Sequence, residues 1–130
     1  MKTMQNAKCK MQNSTRFNFA FCILHFAFFL AACTREQPAN VERGKQLLVQ
    51  YGCVACHDIP GIKGAHGMVG PPLTKMAMRQ TIAGKFPNTP DNMARWLENP
   101  QAMDPNNAMP NVGVTPQDAR DMSAFLDTLK

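Results

Sequence analysis

The sequence predicts an all-α domain with long loops over residues 41–130. Three observations lead there. Apolar residues recur at helical spacing in several short segments, each opening on a capping residue. Alternation of apolar and polar residues never runs far enough to predict a strand. Between the segments lie stretches that hold no regular element: "DIPGIKGAHGMVGPP" (58–72) contains four Gly and three Pro, a density that breaks helix and strand alike.

The first helix spans Val41 to Gln50 with Asn40 as its N-cap. Val41, Gly44, Leu48 and Tyr51 fall at i, i+3, i+7 and i+10 and share a face. Gly44 costs a helix interior about 1 kcal/mol, which leaves two readings: close approach of another backbone, or a tolerated surface glycine. A short helix is predicted from Lys75 to Ala83, with Gly84 as its C′ residue. In "TPDNMARWLENP" (89–100) Thr89 caps, Pro90 takes the first helical position, Asp91 meets the positive dipole end and Pro100 stops the helix. Met93, Trp96 and Leu97 line its inner face. A second irregular stretch runs from Pro100 to Gly113. The last helix opens on "TPQD", with Thr115 as N-cap, Pro116 at N1 and Asp118 near N3. Ala119, Met122, Leu126 and Leu129 form its stripe, which Phe125 widens. About four short helices in a chain segment of this size bury little apolar area. Something apolar is expected at the centre.

The 130-residue chain carries a net charge of +5, unevenly placed. Lys2, Lys8, Lys10 and Arg16 precede a 16-residue apolar run from Phe17 to Ala32. From Cys33 onward there are 10 Lys/Arg against 9 Asp/Glu, leaving only +1. The basic face that a nucleic-acid partner requires is therefore missing. Basic head, apolar run and small residues follow the order of a secretory signal, and Met4 or Met11 could serve as its start. The run falls short of the roughly 20 residues of a spanning helix. It ends in "LAAC" (30–33), which resembles the bacterial lipobox. Residues 1–32 thus read as a lipoprotein signal peptide, Cys33 as a lipidated cysteine and residues 34–40 as a tether, placing the domain in the bacterial cell envelope, on the periplasmic face of a membrane. A multiply acylated Cys33 would anchor firmly, since each buried methylene adds about 0.8 kcal/mol.

Cys9 and Cys22 leave with the signal and Cys33 takes lipid, so the domain keeps Cys53 and Cys56 alone. That count excludes four-cysteine zinc sites and disulfide frameworks. Both cysteines belong to "CVACH" (53–57). A redox dithiol would need a βαβ pattern, which is absent. A zinc site could recruit His66 beside Cys53, Cys56 and His57, but would leave the loop-rich core unexplained. In the third reading the two thiols add across the vinyl groups of a haem and His57 reaches the iron. The haem then supplies the missing core.

With these residues in view, residues 41–130 resemble a class I monohaem cytochrome c domain, of the kind found in bacterial periplasmic carriers and fused to oxidase or dehydrogenase subunits. The matching pieces are "GKQLLVQYGCVACH" (44–57), "GPPL" (70–73), "NMARWLENP" (92–100), "AMPNVGVT" (108–115) and "DARDMSAFLDTL" (118–129). The resemblance implies one covalent haem c on Cys53 and Cys56, and a crossing of the first helix at Gly44 with the last near Phe125. It implies that the Pro71 carbonyl accepts the proton of the outer His57 nitrogen. Trp96 corresponds to a tryptophan against the haem edge, although a plain core aromatic is an equal reading. Arg79 and Arg95 are candidate propionate partners set against solvated helix positions.

For the second axial ligand, Met76, Met78, Met93 and Met122 read as helix packing. Met68 and His66 sit on the proximal loop, while Met103 and Met109 fall in the distal stretch. Met109 precedes Pro110 and matches the family's ligand position. A His57/Met109 iron has no open position, so the expectation is a one-electron carrier, not an enzyme, with redox proteins as partners at the haem edge and no small-molecule substrate. The alternatives are a fixed haem subunit of an oxidase or dehydrogenase complex and a haem gas sensor or enzyme.

Overall fold

A computed structural model describes residues 37–130. The predicted signal peptide, Cys33 and residues 34–36 of the tether lie outside the described residues. Among those described, no helix is long and apolar enough to cross a membrane. Four α-helices carry the domain: α1 (Val41–Gln50), α2 (Pro90–Glu98), the single turn α3 (Pro100–Met103) and α4 (Pro116–Leu126). The all-α expectation holds, with one small exception between residues 75 and 88.

The centre of the fold is the crossing of α1 with α4. A Cβ placed on Gly44 would stand 1.9 Å from the Asp121 carbonyl oxygen and 2.9 Å from the Met122 nitrogen. Only a glycine lets the two backbones approach this closely, which settles the open reading of Gly44. The crossing lies at Asp121–Met122, about one turn earlier than the Phe125 region. The buried face of α1 is Gly44, Leu47 and Leu48; Val41, in the first turn, is 42% exposed because the helix contact is centred on Gly44. On α4, Ala119, Met122, Phe125 and Leu126 are buried as the stripe predicts. Leu129 lies beyond the helix end and is half-buried.

Two charged residues lie on the same buried face, Asp118 and Asp121. Arg43 pairs with both. Tyr51 donates its hydroxyl to Asp118 at 2.6 Å, and the Asn40 N–H reaches Asp121 at 2.8 Å. The two carboxylates thus take donors from α1 and its flanks, replacing the water they lose on burial.

The helix expected over Lys75–Ala83 does not form. A 3-10 turn at Met76–Met78 is followed by a hairpin, β1 (Thr81–Ile82) with β2 (Phe86–Pro87), paired Ile82 to Phe86. Asn88 explains the break. Its amide donates to the carbonyls of Met76 (2.8 Å) and Arg79 (2.9 Å), acceptors that a continuing helix would need. Ala83 and Gly84 then turn the chain with φ of 51° and 70°, the positive pair of a type I′ turn. Strands of two residues leave no readable alternation in the sequence.

Pro100 ends α2 as predicted, but it also begins α3. Proline cannot continue a helix yet is well suited to start one, and the Asn99 side chain caps the new turn at Ala102. The 58–72 loop holds itself together. Ile59, Ile62 and Ala65 are buried, and backbone bonds join Ile59 to Ala65 (3.1 Å) and Leu73 to Asp58 (2.8 Å).

Candidate cofactor site

A cavity of about 360 Å³ opens between the Cys53–His57 segment, the hairpin, α2 and the loop after α3. Its walls carry Cys53, Cys56, His57, Pro71, Trp96 and Met109, so both thiols, the histidine and the expected second ligand meet there. The apolar floor comes from Leu48, Ile82, Met93, Leu97 and Leu126.

Cys53 and Cys56 form no disulfide and are each half-buried. Cys53 begins a 3-10 turn launched by Gly52 at φ 75°. Burial pushes the Cys53 thiol above its usual range, which keeps it protonated at neutral pH. His57 follows, with its N–H donating to the Cys53 carbonyl at 3.0 Å. Its Nδ1 lies 2.7 Å from the Pro71 carbonyl oxygen. That contact assigns the proton to Nδ1 and leaves Nε2 as a free electron-pair donor.

Gly67 and Gly70, the latter opening "GPPL", read in the sequence as loop residues, and they shape this wall. A Cβ on Gly70 would lie 2.4 Å from His57 Cε1, and one on Gly67 would lie 2.4 Å from the Cys56 carbonyl carbon. The loop therefore lies flat against the imidazole and the motif backbone. The glycine density of 58–72 was the available signal, legible as a loop but not as a cradle. Arg79 holds the far side of the Pro71–Pro72 turn, donating to the carbonyls of Pro72 (2.5 Å) and Thr74 (3.0 Å). It lines the cavity, whereas Arg95 is exposed on α2.

The methionines separate cleanly. Met109 lines the cavity and is half-buried. Met103 packs from α3 against the core without reaching the cavity wall. Met68 is 94% exposed, and Met78, expected to pack, is 67% exposed. Met76 and Met93 are buried and contribute to the cavity lining. Trp96 is buried, lines the cavity and packs on Phe86 with ring centroids 6.1 Å apart.

His66 is exposed, its Nδ1 3.6 Å from Asp58. Among the described residues no cluster of three or more His, Cys, Asp or Glu side chains converges on a metal position. The four-ligand zinc set is therefore not assembled. What is assembled suits a large flat apolar group carrying iron. Two thiols lie beside the histidine, the imidazole is pre-oriented by its outer nitrogen, and a thioether stands in the same cavity.

Such a construction defines a small haem-c domain that transfers electrons. The chain belongs to the cytochrome c family, whose sequence profile matches residues 41–130. Among curated proteins it is similar to cytochrome c oxidase subunit 2 of Alkalihalophilus pseudofirmus, with 30% identity over 98 residues. That match covers 73% of this chain and 28% of the relative, so the chain spans about a quarter of the length of the protein it resembles.

Proposed function

We propose that this chain is a membrane-tethered one-electron carrier with a single haem c, ligated by His57 and Met109. The observation that carries this reading is the Nδ1 contact of His57 with Pro71, made in a cavity that also holds both thiols and Met109. One "CVACH" motif accounts for one haem. When bound, haem supplies reversible one-electron chemistry, and a methionine ligand raises its potential. Cys53 and Cys56 would hold the ring by thioether bonds. His57 would hold the iron, its ring oriented by Pro71, and Met109 would supply the second ligand. With both positions filled, substrate chemistry is disfavoured, which supports a carrier in place of an enzyme. Cys33 would tie the domain to the periplasmic face of a membrane, and residues 34–40 would give it reach.

The test is spectroscopic. Met109→Ala is expected to abolish the weak methionine-to-iron charge-transfer absorption of the ferric protein and to admit carbon monoxide rapidly to the ferrous form. Rapid carbon monoxide binding by the native protein would instead indicate an open site and a sensor or enzyme.

A second reading, a fixed haem subunit delivering electrons within an oxidase or dehydrogenase complex, is favoured by the similarity to an oxidase subunit. Met68 and Val69, 94% and 85% exposed beside the cavity, suit a standing contact. Co-purification from native membranes separates the two: a carrier elutes alone, a subunit with its complex.

A further inference from the structure

From Ala108 to Val114 the chain makes no backbone–backbone hydrogen bond among the described residues. It crosses the cavity wall without the support of helix or strand. Side chains hold Met109 in place of a backbone ladder, and they hold both of its polar backbone groups. Its N–H donates to Asn107 Oδ1 at 2.9 Å, and its carbonyl accepts from Gln101 Nε2 at 2.5 Å.

Each holder is itself anchored. Gln101 stands on α3, between the fully buried Pro100 and the Asn99-capped Ala102. Asn107 closes a turn on the Asp104 carbonyl through its own N–H (3.1 Å) and its side-chain amide (2.5 Å). Asp104 in turn takes Lys85 from the hairpin at 2.5 Å. The peptide of Met109 is thus tied to α3 on one side and, through Asn107 and Asp104, to the hairpin on the other.

Gln101 carries a further mark. Its Oε1 is buried and has no hydrogen-bond partner among the described residues. A buried unpaired carbonyl costs stability, and an apolar side chain of similar shape would not incur that cost. The amide group is therefore poorly explained by the needs of packing. Its one hydrogen bond goes to Met109.

We infer that Gln101 and Asn107 are positioning residues: they clamp the Met109 peptide and set how readily its thioether leaves the iron. This rests on the reading of Met109 as axial ligand. Without the clamp the 108–114 segment gains freedom, and freedom of the ligand favours the dissociated state. The methionine would still bind, but a competing ligand would displace it at lower concentration.

The experiment uses the purified haem-loaded ferric protein at fixed pH, titrated with imidazole while the charge-transfer absorption is followed. Gln101→Leu is expected to tighten apparent imidazole binding about tenfold, equivalent to about 1.4 kcal/mol. Asn107→Ala is expected to shift it in the same direction. Unfolding is then compared in saturating imidazole, where Met109 is displaced in native and variant alike. There the midpoint of Gln101→Leu is expected to match or exceed the native one. Unchanged imidazole affinity in both variants overturns the proposal. A lower midpoint of Gln101→Leu in saturating imidazole also overturns it, because the amide then serves the fold and not the ligand. Met109→Ala is the reference: if it leaves the native absorption intact, the ligand assignment itself fails and takes this inference with it.

Discussion

Gly70 lies so close over the ring of His57 that a Cβ there would stand 2.4 Å from Cε1, 2.7 Å from Nδ1 and 2.9 Å from Nε2. The same glycine donates its N–H to the Cys56 carbonyl at 2.7 Å. The imidazole is held in its plane by the Pro71 carbonyl and against its face by bare backbone. Gly70→Ala should therefore force the ring or the loop aside, at about 1–3 kcal/mol of overpacking. Urea unfolding of the haem-loaded protein measures the loss. Native stability in the variant would mean the loop yields easily and does not orient His57.

Gly44→Ala is expected to destabilise the domain even though alanine is the better helix former by about 1 kcal/mol. The added methyl would meet the Asp121 carbonyl at 1.9 Å, and the obstacle is backbone, which cannot rotate away. A net loss of about 2 kcal/mol or more should appear as a lower urea midpoint at unchanged slope. A gain in stability would show that α1 and α4 can slide apart without cost.

The carboxylates between those helices set the acid limit of the fold. Asp118 is held below the usual carboxylate range, first by the Tyr51 hydroxyl and also by Thr115 and Arg43. For Asp121 burial pushes upward, but the Asn40 N–H, Arg43 and Gln117 outweigh it and the net shift is downward. A carboxyl whose folded pKa lies below its unfolded value, about 3.9, stabilises fully above that value. The contribution is lost as pH falls through the folded pKa. Stability should thus hold near neutrality and decline below about pH 5. Urea midpoints measured from pH 7 to pH 3 should fall less steeply for Asp118→Asn and Asp121→Asn than for the native chain. Equal slopes would place the acid sensitivity elsewhere.

Cys33→Ser should release the domain from membranes into the soluble fraction if lipid on that residue is its tether. Continued integral attachment would assign anchoring to the apolar run Phe17–Ala32 itself.

Local chemistry made much of this legible. The caps at Asn40, Thr89 and Thr115 and the prolines at 90 and 116 act within one turn of the chain, so their helices begin where the sequence places them. The helix expected over Lys75–Ala83 failed for the opposite reason. Asn88, beyond its far end, takes two carbonyls the helix needed, and no local pattern announces such a partner. The charged residues of α4 show the same limit. Asp118 reads locally as a capping residue, Asp121 carries no local signal, and the burial of both follows only from Arg43, Tyr51 and Asn40 arriving from the other end of the chain.

By itself the sequence determined the family, the cofactor motif and the three longer helices, because thiol spacing, capping and apolar periodicity are properties of a few consecutive residues. Tertiary structure alone decided which glycines touch what and what holds Met109 on the cavity wall. Met103 and Met109 stand six positions apart in one irregular stretch with similar chemistry. Both pack against the core, Met103 from the one-turn helix begun by Pro100, but Met109 alone of the two lines the cavity. Long-range contacts choose between equivalent side chains, and those contacts exist only once the chain has closed on itself.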